Sequence, residues 1–420
     1  MIIGLDGADP EFLETMLAAG KLPNFARLFR EGAYGHLQTF KPTKSVVVWT
    51  SIATGKRMEK HGVIDWMVLS PDGREKVLAT GQIRRAEALW NIASAAEKRV
   101  TIVNWWATWP AEPVRGELVS NHFRKAIRRP VEAATYPPAL YDELLPLARL
   151  DPEEVRREMS EAGLPVFTPE AAEAGFRPSP NFRNNFRESV NLFAEDRLFE
   201  KVSLHLLASR GQPDLFAAIF RNLDVFSHFA WRFIDRRTAE RVYGSLAGTR
   251  KPLPVGVERQ MDEAYAAVLE PLYQHEDGRL GRLMARAGPD TVIVVVSDHG
   301  FQFRNDPRDP ERRYGFYHYD GPMAPSGVIF LWGPPVRAGI RLLQASVFDV
   351  APTVLYLLGI PAGRDMDGRI LVEALDPKLL AARPPTWIAT HETGQRGGGA
   401  RPSPVDEEIL EELRSLGYIQ

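Results

Sequence analysis

The sequence predicts an α/β protein, a three-layer sandwich around a mostly parallel central sheet, with a helical cap inserted into it. Three observations predict it. Apolar runs that read as strands alternate with helical stretches along most of the chain. Several of those runs, above all Val292-Ile293-Val294-Val295-Val296, are unbroken rather than alternating, the pattern of strands covered on both faces. Short segments rich in oxygen and nitrogen ligands stand at the ends of three such runs, where open α/β sheets keep their ligand chemistry.

The elements follow in order. Ile2 to Leu5 reads as a buried strand and Gly7 to Asp9 as a turn. Pro10 to Ala19 reads as a helix stopped by Gly20, and Phe25 to Arg30 as a second one ended by Gly32. Val46 to Ala53 fits helix or buried strand by periodicity, and the strand-turn-helix order favours a helix with Ser45 at its N-terminus. Ala86 to Ala95 reads as a helix and Arg99 to Asn104 as a strand. From about Phe123 to Phe199 the chain is charged, helical and broken by prolines, with a polar loop from Arg177 to Asn185. Leu198 to Ala208 is an amphipathic helix, Asp214 to Phe220 a strand, and Arg236 to Val257 a smaller insertion. Met261 to Ala287 is a long helix feeding the strand Thr291 to Val296. Gly327 to Trp332 is a further strand, Phe348 to Leu358 a helix closed by Gly359, and Pro404 to Leu416 a terminal charged helix.

The chain has 420 residues, room for one large domain with insertions or for two ordinary ones. With 44% hydrophobic and 25% charged residues it can bury an ample core without metal or disulfide staples. A net charge of −2 argues against a nucleic-acid duplex or a polybasic membrane surface as partner. There is no cysteine, which excludes disulfides, thiolate metal sites and a Cys nucleophile. No stretch has the length of an integral membrane helix. No signal peptide is visible, so the chain as it stands reads as cytoplasmic. A leader ahead of the strand that begins right after Met1 makes it extracytoplasmic instead. Nothing in the sequence fixes an oligomeric state.

Four distant segments hold the chemistry: Gly4-Leu5-Asp6-Gly7, Pro42-Thr43-Lys44-Ser45, Asp224-Val225-Phe226-Ser227-His228 and Val296-Ser297-Asp298-His299-Gly300. Asp6 follows a strand, where a carboxylate meets a cation or caps a turn. Ser45 at a helix N-terminus gains from the backbone N–H groups there, and a metal beside it makes its oxygen a nucleophile. Spacing alone leaves Thr43 as the rival. Asp224 and His228, four apart, share a helix face and can hold one cation together. Asp298 and His299 can both face a metal if the chain turns sharply at Gly300. His318 is the natural third ligand beside Asp224 and His228, with His391 as rival, and His61 reads as structural or as a partner that orients a ligand. Carboxylates and imidazoles without thiolate suit zinc, and also manganese or iron.

These motifs, in this order, resemble the alkaline phosphatase superfamily, and within it the type I phosphodiesterase / nucleotide pyrophosphatase branch. The resemblance runs from Ile2 to about Leu371. It also takes in Leu22-Pro23-Asn24, Thr54-Gly55, His61-Gly62-Val63, Asp349-Val350-Ala351-Pro352-Thr353, Leu357-Leu358-Gly359 and Met366-Asp367-Gly368-Arg369. It implies an alkaline-phosphatase-like fold and two divalent metal ions, most often zinc, acting on a small-molecule phosphate ester. By that analogy one ion is held by Asp224, His228 and His318, and the other by Asp6, Ser45, Asp298 and His299. Ser45 then forms a covalent phosphoserine intermediate that is hydrolysed in a second step. The family's nucleotide pyrophosphatases usually carry Thr where this chain has Ser45. They also carry an Asn that contacts a phosphate oxygen where this chain has Trp66. Asn104, Asn121 and Arg124 are candidate replacements, with Lys44 a further candidate to bind substrate. The residues after Ser45, Val46 to Trp49, lack the Pro and Arg of the sulfatase branch.

The expectation is a phosphodiesterase or nucleotide pyrophosphatase. A monoesterase or phosphomutase on the same scaffold, or a non-catalytic binder of a phosphorylated ligand, is the alternative. Residues 1–122 and 200–375 are expected to form one discontinuous hydrolase core, 123–199 a helical cap, and 376–420 a tail with a terminal helix.

Overall fold

The computed structural model describes residues 1–69, 74, 76–126, 133–149, 151–164, 180–230, 268–301, 324–394 and 403–415, the side chains of 180–189 and 229–230 excepted. Nine strands form one sheet: β1 (Ile2–Leu5), β2 (Ala33–Gln38), β3 (Val100–Val103), β4 (Gly116–Val119), β5 (Thr135–Tyr136), β6 (Leu215–Phe220), β7 (Ile293–Val296), β8 (Gly327–Trp332) and β9 (Ile340–Ser346). Their spatial order is β9-β2-β8-β7-β1-β6-β3-β4-β5. The block from β7 to β4 is parallel throughout, and β8 and β5 run against their neighbours. The fold is therefore mixed α/β with a large, mostly parallel central sheet, as the sequence predicts.

Every residue of β1, β6 and β7 is buried. Successive side chains point to opposite faces, so both faces of these strands are covered. In register, Gly4 of β1 lies between Ile219 of β6 and Val296 of β7. The carboxyl ends of the three strands thus meet at the middle of the sheet, and the chains leaving them carry Asp6, Asp224 and Asp298.

The main helices are α1 (Pro10–Ala18), α2 (Pro23–Glu31), α3 (Ser45–Thr54), α4 (Pro180–Arg210), α5 (Asn222–Ala230), α6 (Leu269–Met284), α7 (Val350–Leu357) and α8 (Asp406–Ser415). Asp9 caps α1, its Oδ1 accepting the Phe12 N–H at 2.9 Å, and Pro10 opens the helix. The β-branched run Val46-Val47-Val48 is a poor helix former in isolation, yet α3 is helical because all ten of its residues are buried. It stops at Gly55, whose φ of +68° supplies the left-handed C-cap.

Several expectations are corrected. The Ala86–Ala95 helix begins only at Leu89, and α4 takes in residues 180–185 of the expected polar loop. The same helix runs across position 199, and β5 joins the segment after 123 to the sheet edge. The insertion expected from Arg236 to Val257 lies outside the described residues, as does His318. Among the described residues, no helix is long and apolar enough to cross a membrane.

Candidate active site

Three loops converge beyond β1, β6 and β7, and side chains lock them to one another. Ser297 stands at the centre: its Oγ accepts the Ala8 N–H at 2.8 Å and donates to the His299 carbonyl at 2.8 Å. Asp298 Oδ1 accepts the Gly7 N–H at 3.3 Å. Gly7 has φ +74°, and a Cβ there would lie 2.7 Å from the Asp224 Cα, so only glycine lets the first loop pass the second. On the β6 side, the buried Asp196 carboxylate of α4 accepts the Arg221 N–H at 2.8 Å and the Asn222 N–H at 2.8 Å. It caps α5 and fixes Asp224 half a turn further on.

Asp6, Asp224, Asp298 and His299 are all buried. Ser45, the first residue of α3, donates its Oγ–H to Asp6 Oδ1 at 3.1 Å. Trp106 donates its indole N–H to Asp6 Oδ2, also at 3.1 Å. His299 Nε2 lies 3.6 Å from Asp6 Oδ1, 3.7 Å from Asp224 Oδ1 and 3.5 Å from Asp298 Oδ2. His228 Nε2 is 3.4 Å from Asp224 Oδ1 across one turn of α5.

The electrostatics of this cluster fit a cation. Burial pushes the Asp298 carboxyl well above the usual range, and the charges of Asp6 and Asp224 push it further. Burial and the Asp224 charge likewise raise Asp6, against His299, Arg221 and the Trp106 bond. Burial raises Asp224 too, but His228, by charge and hydrogen bond, and then His299 outweigh it and leave this group below its usual range. Asp298 Oδ2 is buried and has no hydrogen-bond donor among the described residues. His299 Nδ1 lies 3.0 Å from the Gly300 carbonyl, which can only accept, so Nδ1 carries a proton and Nε2 is the ring atom that faces the carboxylates. This is the arrangement of a metal-ligating histidine with its outer nitrogen bonded to the backbone. Asp6, Asp298 and His299 offer three ligand atoms within 4.8 Å of one another.

The remaining expected residues fall into place as follows. Lys44 pairs with Asp65 at 2.5 Å. Asn104, at a φ of +57° just past β3, donates its side-chain amide to the Ile219 carbonyl at 3.0 Å and ties β3 to β6. Asn121 accepts from Thr108 and lines a small cavity with Asn104 and Trp106. Lys125, not its neighbour Arg124, lines that cavity. Trp66, in the place of the family Asn, packs edge-on against Trp106 with centroids 4.9 Å apart. His61 is structural: it receives the Val63 N–H on Nδ1 at 3.2 Å and meets Ser51 Oγ at 2.9 Å. His391 bonds the Pro361 carbonyl at 2.8 Å.

Sequence reasoning missed Trp106, Arg221 and the linking role of Ser297. The first two stand just past the carboxyl ends of β3 and β6, the position that could have marked them.

The family model of type I phosphodiesterase / nucleotide pyrophosphatase matches residues 1–311. The chain belongs to this family of phosphoester hydrolases. Human ectonucleotide pyrophosphatase/phosphodiesterase 5 superposes with a TM-score of 0.52 at 11% identity, covering 90% of this chain and 99% of that one. The inactive murine form in complex with AMP gives a TM-score of 0.52 at 11% identity, covering 89% and 99%. These likenesses concern the fold. A phosphopentomutase of Symbiobacterium thermophilum is 36% identical over 90 residues, 20% of this chain and 19% of the mutase. The match thus spans about a fifth of that relative's length.

Proposed function

We propose that this chain hydrolyses a small-molecule phosphodiester through a phosphoserine on Ser45, with two divalent metal ions, zinc first among them. The observation that carries the reading is the Ser45–Asp6 contact of 3.1 Å, made at a helix N-terminus beside the buried group Asp6, Asp298 and His299. Family membership supports the reaction class. Asp6, Ser45, Asp298 and His299 would hold one ion, and Asp224 and His228, with His318 from outside the described residues, the other. Such ions supply Lewis-acid stabilisation of charge on the phosphoryl oxygens and on the nucleophile.

The chain's own residues do the rest. Asp6 aims the Ser45 hydroxyl, and the free N–H groups of the first turn of α3 favour an anion next to it. Ser45 gives its hydroxyl proton to Asp6 as Oγ bonds to phosphorus and the bond from phosphorus to the leaving alcohol breaks, and that proton passes through water to the alcohol. Water then attacks phosphorus, the Ser45 Oγ–P bond breaks as Oγ recovers a proton from that water, and a phosphate monoester leaves. Trp66 packs edge-on against Trp106 where the family Asn is missing, which supports a substrate other than a nucleotide. We read segment 123–199 as the part that selects substrate.

The test is turnover of bis-p-nitrophenyl phosphate against p-nitrophenyl phosphate by the metal-loaded protein. Faster diester turnover is expected. Dominant monoester turnover would shift the reading to a monoesterase or phosphomutase, which the partial likeness to phosphopentomutase favours.

A further inference from the structure

The terminal helix α8 is docked on the sheet end that carries the site. Val405 and Leu413 are buried in the main core, and Glu412 reaches inward from between them. One oxygen of Glu412 lies 2.7 Å from Lys125 Nζ and the other 2.9 Å from Arg221 Nη2. Glu195 of α4 completes a quartet, 3.2 Å from Arg221 and 3.7 Å from Lys125. These four side chains, with Asn104, Trp106 and Asn121, surround a cavity of about 10 Å³, room for roughly one water.

The quartet is one side chain away from the candidate active site. The Arg221 guanidinium lies 4.4 Å above the Trp106 ring, and the same indole donates to Asp6. Two cations and two carboxylates sum to zero. Without Glu412 the cluster carries one net positive charge, in a buried place where field is weakly screened. A charge so placed beside a phosphoryl site draws additional anionic groups to it.

We infer that Glu412 is a specificity-determining residue: by completing, with Glu195, the neutralisation of Lys125 and Arg221 it makes the site favour monoanionic phosphodiesters over dianionic phosphates. The inference rests on the phosphoesterase reading given above. It makes the terminal helix part of the substrate preference and not only a cover for the core.

The test is Glu412→Gln, which keeps the shape and removes the charge, studied as the zinc-loaded full chain. The ratio of kcat/KM for p-nitrophenyl phosphate to that for bis-p-nitrophenyl phosphate should rise about tenfold, the effect of one charge-assisted interaction. Inorganic phosphate, titrated by calorimetry, should bind about tenfold more tightly, for the same reason. The double variant Glu412→Gln with Lys125→Gln restores neutrality, and both values should return toward those of the wild type. A purely structural Glu412 would lower the melting temperature in the single variant, leave ratio and affinity within about twofold of wild type, and overturn the inference. If Glu412→Gln does not fold, Lys125→Gln alone moves the charge the other way, and both values must fall. Failure of every form to hydrolyse either ester would remove the proposed function. The phosphate titration would then still decide the role of the charge, with unchanged affinity counting against it.

Discussion

Trp106 donates its indole N–H to Asp6 Oδ2 at 3.1 Å, while Ser45 holds the other oxygen of the same carboxylate. Both oxygens of Asp6 are thereby directed by neutral donors, one of them from an aromatic wall shared with Trp66 and Arg221. Partners of this kind orient a ligand and tune its basicity. Trp106→Phe keeps a ring beneath Arg221 and removes the donor. Metal affinity, measured by competition with a chelator, should fall about 10–100-fold, the range for such outer partners. Unchanged affinity would mean the bond does not orient Asp6.

Ser45→Ala removes the proposed nucleophile, and with it one of the two hydrogen bonds to Asp6, while leaving the buried acids themselves in place. Turnover should drop by about a thousandfold or more, as when a nucleophile is deleted elsewhere, with metal content largely kept. Rapid quenching with a diester substrate should label the wild type on Ser45 and leave the variant unlabelled. Activity that survives the substitution would reassign the nucleophile, with buried Thr43 the next residue to replace.

Chelation should act on stability as well as on rate. Asp6, Asp224 and Asp298 are buried together, and without a cation their mutual repulsion favours protonation, as the raised Asp6 and Asp298 carboxyls show. EDTA is expected to abolish activity and lower the melting temperature, and zinc to restore both, because a ligand of the folded state stabilises it by mass action. Rescue by manganese where zinc fails would favour the phosphomutase reading.

What the sequence disclosed follows from how each part is stabilised. β1 and β7 were legible because they are covered on both faces and so read as unbroken apolar runs. β2 and β9 were not: Gly35 and His36 interrupt one, and the other exposes Arg341 and Leu343 on the sheet's margin. Their strand character comes from pairing with each other and with β8, a register that no local pattern carries. Asp6, Asp224, Asp298 and His299, which the fold brings together, stood out because they sit in short motifs at strand ends. The quartet was hidden because Lys125 and Glu412 are 287 positions apart and meet only once α8 has docked.

Three histidines away from the acidic cluster contribute to the response to acid. Burial holds His61, His122 and His275 down to about 3, helped by the charges of Arg84, Lys125 and Arg279 respectively. Their unfolded value is near 6.5. Between the two values the unfolded chain binds more protons than the native one, so stability rises with pH there. The contribution is complete above about 6.5 and is lost as pH falls toward 3. Each histidine adds a slope of up to about 1.4 kcal/mol per pH unit. Glu200 and Glu412, held down to about 2 by neighbouring cations that outweigh their burial, begin to cost stability only below about 4.5. Between about pH 6.5 and 4.5 the raised carboxyls of Asp6, Asp196 and Asp298 oppose the histidines, because a carboxyl held up binds protons first in the native state. Urea unfolding across that range therefore reads a histidine by comparing a variant with the wild type. His122 lies flat on Trp109, with centroids 5.0 Å apart and 6° between the planes, so His122→Phe keeps the stack and removes one titrating group. Relative to the wild type, the variant should gain stability as pH falls, by up to about 1.4 kcal/mol per pH unit; a difference that does not change with pH would mean that His122 is already protonated in the native protein.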